Sequence, residues 1–388
     1  MPNALVQTFS DGQNPHPRRV DMRKSRTLTV ALFFTLASAF AANAAPMSPQ
    51  PSTTCTPPGA WVTRTAAPTP IVRAWGAFFP ANGKFYLMGG RQADTAGSDF
   101  TQVNIYDPVL DSWSLSAATF SDAQVNNMVG GVLDFGGTKY IVTVGGSAAG
   151  ATTSSSEVRQ YDPVADVMTS LTTDPWPGNT DGATLPGGAA VLGNKLYVFG
   201  GFDIGIGMTT AIYRFDPAAV AGSRWTTMAA TLPNPIGYVP TAASGSLIYL
   251  MGGSGWDGTT LIDTTESSSY DPVADVIAPI TVIPRATGET RAVAAIDGSF
   301  WVLGGGRVAP NPSNEVDMYD PVGNAWTLGP AFPTPRRNFA ADVDPVVGTI
   351  WAIGGYDSSG TTLLDVNEEF DPCVPITDRI FADGFDGP

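Results

Sequence analysis

A short apolar run ending in two glycines recurs along the chain, each copy bounded by polar, turn-forming residues. It appears as Tyr86-Leu87-Met88-Gly89-Gly90, Thr143-Val144-Gly145-Gly146 and Tyr197-Val198-Phe199-Gly200-Gly201. It returns as Tyr249-Leu250-Met251-Gly252-Gly253, Trp301-Val302-Leu303-Gly304-Gly305 and Trp351-Ala352-Ile353-Gly354-Gly355. Runs this short, rich in aromatic and β-branched residues and closed by glycine, predict buried strands. Asn82-Gly83, Gly193-Asn194 and Asp297-Gly298, each just ahead of such a run, predict tight hairpin turns.

A second element follows every glycine pair: Tyr106-Asp107-Pro108, Tyr161-Asp162-Pro163, Phe215-Asp216-Pro217, Tyr270-Asp271-Pro272, Tyr319-Asp320-Pro321 and Phe370-Asp371-Pro372. Trp113, Trp225 and Trp326 come soon after three of these triplets, with Met168 and Ile277 in the same place after two others. The glycine pairs lie 50 to 56 residues apart, room for four strands of about five or six residues with short turns. A lone four-stranded unit cannot bury both faces, so the units must stack around an axis.

These residues resemble kelch repeats over about residues 60–373. The resemblance implies an all-β fold, a six-bladed β-propeller of four-stranded antiparallel blades. Glycine pairs are expected where backbones crowd near the axis and φ turns positive. Asp-Pro is expected to set a turn, with the carboxylate bonding back to the backbone, and the aromatics to fill the wedge between blades.

The repeats are out of phase with the chain ends. The last unit stops at Phe370-Asp371-Pro372 without its tryptophan strand, and the first is preceded by an orphan one, Ala60-Trp61-Val62. Residues 60–65 are therefore predicted to form the outer strand of the sixth blade beside residues 366–372. Cys55 and Cys373, the only cysteines, flank that seam, and a Cys55–Cys373 disulfide is expected in an oxidising compartment.

Upstream, Met22-Arg23-Lys24-Ser25-Arg26, the apolar run Leu28 to Phe40 and Ala42-Asn43-Ala44 read as a secretory signal over residues 22–44, too short in its apolar part to span a bilayer. The expected location is outside the cytoplasm, periplasmic or extracellular. Residues 1–21 carry no pattern and are unassigned, Met22 being a candidate start; residues 45–59 read as a linker. Residues 374–388 form a tail whose Phe381-Ala382-Asp383-Gly384-Phe385 resembles short sorting tails of secreted Gram-negative proteins, against the plainer reading of a mobile end.

Composition narrows the chemistry. A net charge of -15 argues against a nucleic-acid partner. The single histidine, His16, lies ahead of the cleavage site, which removes Ser-His-Asp catalysis, His-ligated zinc and imidazole-ligated copper, and with copper the galactose-oxidase chemistry found on other kelch propellers. No cofactor or metal is expected. Loops such as Gly201-Phe202-Asp203 and Gly355-Tyr356-Asp357 lack the clustered carboxylates of a calcium site and read as turns.

In a blade of strands a–d, the b–c loops and d-to-a connections share one face, and here they are the irregular segments. Arg73, Arg91, Arg285, Arg291, Arg307, Arg336 and Arg337 fall on this face by assignment, with Tyr238, Trp256, Asp257, Glu289, Tyr356 and Asp357. Arginines gathered on an acidic protein suit a carboxylate or other anion. Pro284-Arg285 and Pro335-Arg336 match the kelch Pro-Arg that opens an inner strand, and Arg73 is grouped with them as structural. Arg291, Arg307 and Arg337 lie outside that pattern and stand open between ion pairing and ligand contact. Glu289, the one glutamate read as aperiodic, lies between Arg285 and Arg291; a surface ion pair is the plainer reading, a base or sugar-hydroxyl acceptor the other.

Two functions follow. The first is an exported module that binds a glycan, an anionic small molecule or another protein through Arg91, Arg307, Trp256 and Tyr356. The alternative is a metal-independent sugar mutarotase or epimerase, because kelch propellers include the exported sialate mutarotases, with Glu289 moving a proton and Arg291 or Arg337 holding a carboxylate. That link is one of fold only.

Overall fold

The computed structural model describes residues 59–307 and 311–372. Blade 6 takes its outer strand β1 (Ala60–Arg64) from the start of this region. Blade 1 is β2 (Trp75–Phe79), β3 (Lys84–Met88), β4 (Val103–Asp107) and β5 (Ser112–Leu115). Blade 2 is β6 (Val129–Asp134), β7 (Lys139–Val144), β8 (Val158–Asp162) and β9 (Val167–Ser170). Blade 3 has the longer strands β10 (Thr184–Leu192), β11 (Lys195–Asp203), β12 (Gly207–Phe215) and β13 (Trp225–Thr231). Blade 4 is β14 (Thr241–Ser244), β15 (Leu247–Met251), β18 (Ser267–Asp271) and β19 (Val276–Pro279), its b–c loop carrying a small hairpin of β16 (Ser254–Trp256) and β17 (Leu261–Asp263). Blade 5 is β20 (Arg291–Ala294), β21 (Phe300–Gly305), β22 (Ser313–Asp320) and β23 (Ala325–Leu328). Blade 6 is completed by β24 (Ala340–Val343), β25 (Ile350–Ile353) and β26 (Asn367–Asp371). All pairings are antiparallel, and the innermost strands touch in the closed order β2, β6, β10, β14, β20, β24 and back to β2.

The expected closure is present. Trp61 lies opposite Phe370, just as Trp113 lies opposite Tyr106, Trp225 opposite Phe215 and Trp326 opposite Tyr319. Met168 and Ile277 take the same place beside Tyr161 and Tyr270. All four indoles also make the same bond. Trp61 donates to the Pro330 carbonyl, Trp113 to Thr65, Trp225 to Asp174 and Trp326 to Thr281, each on the connection leaving the preceding blade. Repetition at this level makes β1 the missing fourth strand rather than an added one. Cys55 and Cys373 lie outside the described residues, as do the leader and the tail.

Apolar packing is divided among the blades as the repeat demands. Six buried clusters sit one at each blade boundary: Phe78, Phe85 and Trp351 between blades 6 and 1, Phe199 and Ile248 between blades 3 and 4, Leu303, Phe339 and Phe370 between blades 5 and 6. The Asp-Pro turns form as read. Asp107 accepts from the amides of Val109 and Leu110, and Asp162 from those of Val164 and Ala165. Tyr106, Tyr161, Tyr270 and Tyr319 each donate to the side chain five residues on, at Asp111, Asp166, Asp275 and Asn324. Those acceptors also take an amide from the preceding blade, pinning neighbours together on the turn face.

The glycine pairs differ from expectation in where they crowd. A Cβ on Gly354 (φ 70°) would stand 2.4 Å from the Ile71 carbonyl, and one on Gly355 (φ 101°) 2.7 Å from that of Arg337. The pressure comes from the connections crossing the loop face, not from the axis itself. Glycine there lets the loop face be laid tightly over the blades.

Candidate functional site

All six connections enter their inner strands at one register. Trp75, Val129, Gly188, Arg291 and Ala340 lie opposite the residue that precedes the glycine pair, and Pro240 accepts from Met251 at the same level. Two residues upstream stand Arg73, Asn127, Pro186, Tyr238, Glu289 and Asn338. Five of these have φ between 49° and 59°, a left-handed conformation that is strained for large side chains; proline is barred from it by its ring. Backbone bonds link four of them in a row. The amide of Asn338 donates to Glu289 at 2.7 Å, that of Arg73 to Asn338 at 2.8 Å and that of Asn127 to Arg73 at 3.0 Å. The chain of bonds stops at blade 3, where Pro186 has no N–H to offer. Glu289 was expected to be aperiodic; its backbone position is repeated in every blade, and only the acid is unique.

This girdle gathers the charged residues. Glu289 is 1% exposed, and its two oxygens are taken by Arg337 at 2.6 Å and Arg307 at 3.2 Å. Burial pushes its carboxyl up, but the guanidiniums of Arg337, Arg307 and Arg73 outweigh burial and hold it below the usual glutamate range. Arg73 responds in kind. Enclosure lowers its guanidinium, while Glu289, Tyr238 and Tyr356 more than reverse that. Arg73 has no carboxylate within ion-pair distance among the described residues.

Tyr356 stands between the arginines. Its ring lies 4.7 Å from the Arg337 guanidinium carbon and 6.0 Å from that of Arg73. The Tyr356 hydroxyl accepts from Arg91 at 2.6 Å and donates to Asp94, which also pairs with Arg91. On the opposite side the wall is aromatic. Phe202 packs against Tyr238 with centroids 6.1 Å apart and against Trp256 at 5.4 Å. Burial pushes the Tyr238 hydroxyl up to about 12, so it stays a neutral donor. The arrangement presents cationic groups from blades 5, 6 and 1 across from flat apolar surface on blades 3 and 4.

Most of the residues singled out from the sequence therefore meet: Arg91, Arg307, Arg337, Glu289, Tyr238 and Tyr356 directly, and Trp256 through Phe202. Arg73 joins them, which corrects its grouping with Arg285 and Arg336. Those two are structural as read. Arg285 bonds the Gly304 carbonyl and Asp317, while Arg336, fully buried, bonds Gly354 and pairs with Glu368. Asp257 and Asp357 cap their own loops, accepting from Thr259 and Thr260 and from Ser359 and Thr362. No group of three acids, cysteines or histidines fit for a metal occurs among the described residues. Phe202, Asp94 and Asn338 were not anticipated. Phe202 follows a glycine pair, as Arg91 and Tyr356 do, and that shared position was the available signal.

Lower down, inner strands enclose an axial channel of 540 Å³ lined by Gly76, Gly130, Ala190, Ala242 and Ala292 together with larger residues such as Trp75 and Val293. Arg291 lines it, apart from the Glu289 cluster. Asp342 lines it as well, accepting from the Phe78 amide at 2.7 Å and from that of Val343 at 2.8 Å. Enclosure pushes the Asp342 carboxyl up to about 7.

The Kelch motif family model matches residues 290–333, which contain all four strands of blade 5. Kelch-like protein 25 of Xenopus tropicalis is 30% identical over 44% of this chain and 27% of its own length. Kelch-like protein terF of Aspergillus terreus is 25% identical over 64% of this chain and 53% of its own. The chain thus spans about a quarter to a half of the curated relatives it matches. Among solved structures, one titled "Structure of YjhT" superposes with a TM-score of 0.60 at 15% identity, covering 78% of this chain and 95% of that one. At that identity the likeness is one of fold. Six registered repeats on six four-stranded blades define a β-propeller with its loop-face girdle. The chain is a kelch-repeat β-propeller.

Proposed function

We propose that the protein is an exported, non-catalytic binding module that engages a carboxylate-bearing partner, an acidic glycan or an acidic segment of another protein, through its loop face. One observation carries the reading: Arg307 and Arg337 pair with a single acid, Glu289, and Arg73 stands near enough to feel its charge, opposite the Phe202–Tyr238–Trp256 wall. Guanidiniums held in place by Glu289 and Tyr356 are preorganised to receive a second carboxylate. Flat aromatic surface beside them suits a sugar face or an apolar side chain. The kelch propeller is a scaffold for protein interaction, which supports the class but does not choose the partner.

The mutarotase alternative needs Glu289 to gain and lose a proton near neutral pH. Both of its oxygens are bound by arginine and its carboxyl is held below the usual range. Those properties suit a fixed anchor for guanidiniums better than a proton carrier.

An array of neutral and acidic glycans with a set of acidic peptides tests the proposal. Retention of acidic members only, weakened at least tenfold by Arg73→Ala and by raising salt from 50 to about 500 mM, is the expected outcome. Equal retention of neutral and acidic members removes it. Anomer exchange of α-sialic acid faster than in buffer, abolished by Glu289→Gln, would replace it with the enzymatic reading.

A further inference from the structure

The channel beneath the girdle holds a charge that the loop-face site does not use. At the inner-strand level opposite the residue before the glycine pair, five blades carry Trp75, Val129, Gly188, Pro240 and Ala340; blade 5 alone carries a charge, Arg291. Its side chain reaches from blade 5 past blade 6 to the Ala74 carbonyl of blade 1, at 3.4 Å, and its other terminal nitrogen lies 3.3 Å from the Thr290 carbonyl. Both contacts are long for a guanidinium. Nε is buried without a partner, and no carboxylate lies within ion-pair distance among the described residues.

Neutralisation within the channel is not available from Asp342. That carboxyl is shaped by burial, two backbone amides and Asp344, with no contribution from Arg291, and burial alone acts on Arg291. Enclosure lowers the guanidinium to about 10, which leaves it charged at neutral pH. A cation partly withdrawn from water, with only two long carbonyl contacts and no counter-charge, is costly. Space for a counter-ion adjoins it, in a cavity of 540 Å³.

We infer that the axial channel binds a small free anion, of the halide or inorganic oxyanion class, against the Arg291 guanidinium. This site is separate from the proposed loop-face site. Its anchor is Arg291 rather than the arginines around Glu289, and the two are tested apart.

The probe is bromide, located by anomalous diffraction from crystals of the full chain grown in sodium bromide, with thermal unfolding followed in parallel. Wild type is expected to show bromide within about 3.5 Å of the Arg291 guanidinium. Its midpoint should rise by about 2 °C or more over an equal concentration of sodium gluconate, an anion too bulky for the site. Arg291→Met, which restores the apolar character of the other five blades, should fold, lose the channel peak and lose the bromide-specific rise. Arg337→Ala should retain both. A bromide peak confined to the loop-face arginines, an unchanged channel peak in Arg291→Met, or an equal midpoint rise in wild type and Arg291→Met overturns the inference.

Discussion

Trp61 and Phe370, at opposite ends of the described chain, stand opposite each other in the sixth blade with ring centroids 5.5 Å apart. Trp61 also meets Phe332 at 5.5 Å and donates to Pro330, so one side chain ties the first strand to blades 5 and 6 together. Trp61→Ala is expected to lower stability by about 2–4 kcal/mol, measured by urea unfolding. Val62→Ser, on the exposed side of the same strand, should stay within about 0.5 kcal/mol. Equal, small effects from both would mean that the seam does not hold the ring shut.

The register Ala60–Asp371 places the chain five residues after Cys55 opposite the chain two residues before Cys373. A disulfide between them is proposed to lock the seam. Peptide mapping without reductant should recover the Cys55–Cys373 linked pair from exported protein. The Cys55→Ser/Cys373→Ser variant should lose up to about 5 kcal/mol, the chain-entropy figure for so long a loop. Recovery of both cysteines as alkylated thiols would remove the bond.

Glu289 holds Arg337 and Arg307 by its two oxygens. Glu289→Gln leaves those guanidiniums, with Arg73, facing one another without a counter-charge. A loss of about 2–4 kcal/mol is expected, less than for a wholly buried pair because Arg307 is partly exposed. The double variant Glu289→Gln/Arg337→Gln should recover part of it, the mark of coupled neighbours. Because the folded carboxyl is held below its unfolded value, its stabilisation is present above the ordinary glutamate range. It is lost as pH falls through the depressed folded value. An acid limb unchanged in Glu289→Gln would contradict this.

Asp342 has the opposite sign. Its folded carboxyl is raised to about 7, so the native state holds a proton that the unfolded chain has already released. Its contribution is full below the ordinary aspartate range and is lost progressively as pH rises through about 7. Asp342→Asn should flatten stability between about pH 4 and pH 7 relative to wild type, with a pH-independent loss of about 1 kcal/mol because its one amide oxygen can replace only one of the two acceptors used by Phe78 and Val343. Thermal midpoints across that range check the slope, and parallel curves for the two proteins would refute it.

Blade number, strand order and the closing strand were legible because each rests on a periodic signal. Glycine pairs and Tyr-Asp-Pro turns answer to backbone geometry and wedge packing, which every blade shares, so one chain supplies six readings of the same constraint. The assignment of Trp61 to the sixth blade followed from phase alone. The candidate site was legible as a face but not as an arrangement. Arg73 was misplaced because its neighbours look like those of Arg285 and Arg336, and the difference is one of register against the inner strand, two residues from Arg336 and four from Arg285. Phe202 and Asp94 were missed because neither type, read singly, departs from an ordinary loop.

What the amino-acid order determined is the repeating part: where backbones bend, which faces are apolar and how many sheets they make. Those properties are local and recur. Tertiary structure alone decided the company of Glu289, since Arg307 and Arg337 come from a loop of blade 5 and the entry to blade 6, and Arg73, from the start of the described chain, joins them only when the ring is closed. It alone left Arg291 without an acid, because whether a guanidinium has a partner depends on what the opposite blades place across the axis. Charges act through space, and a sequence orders residues only along the chain.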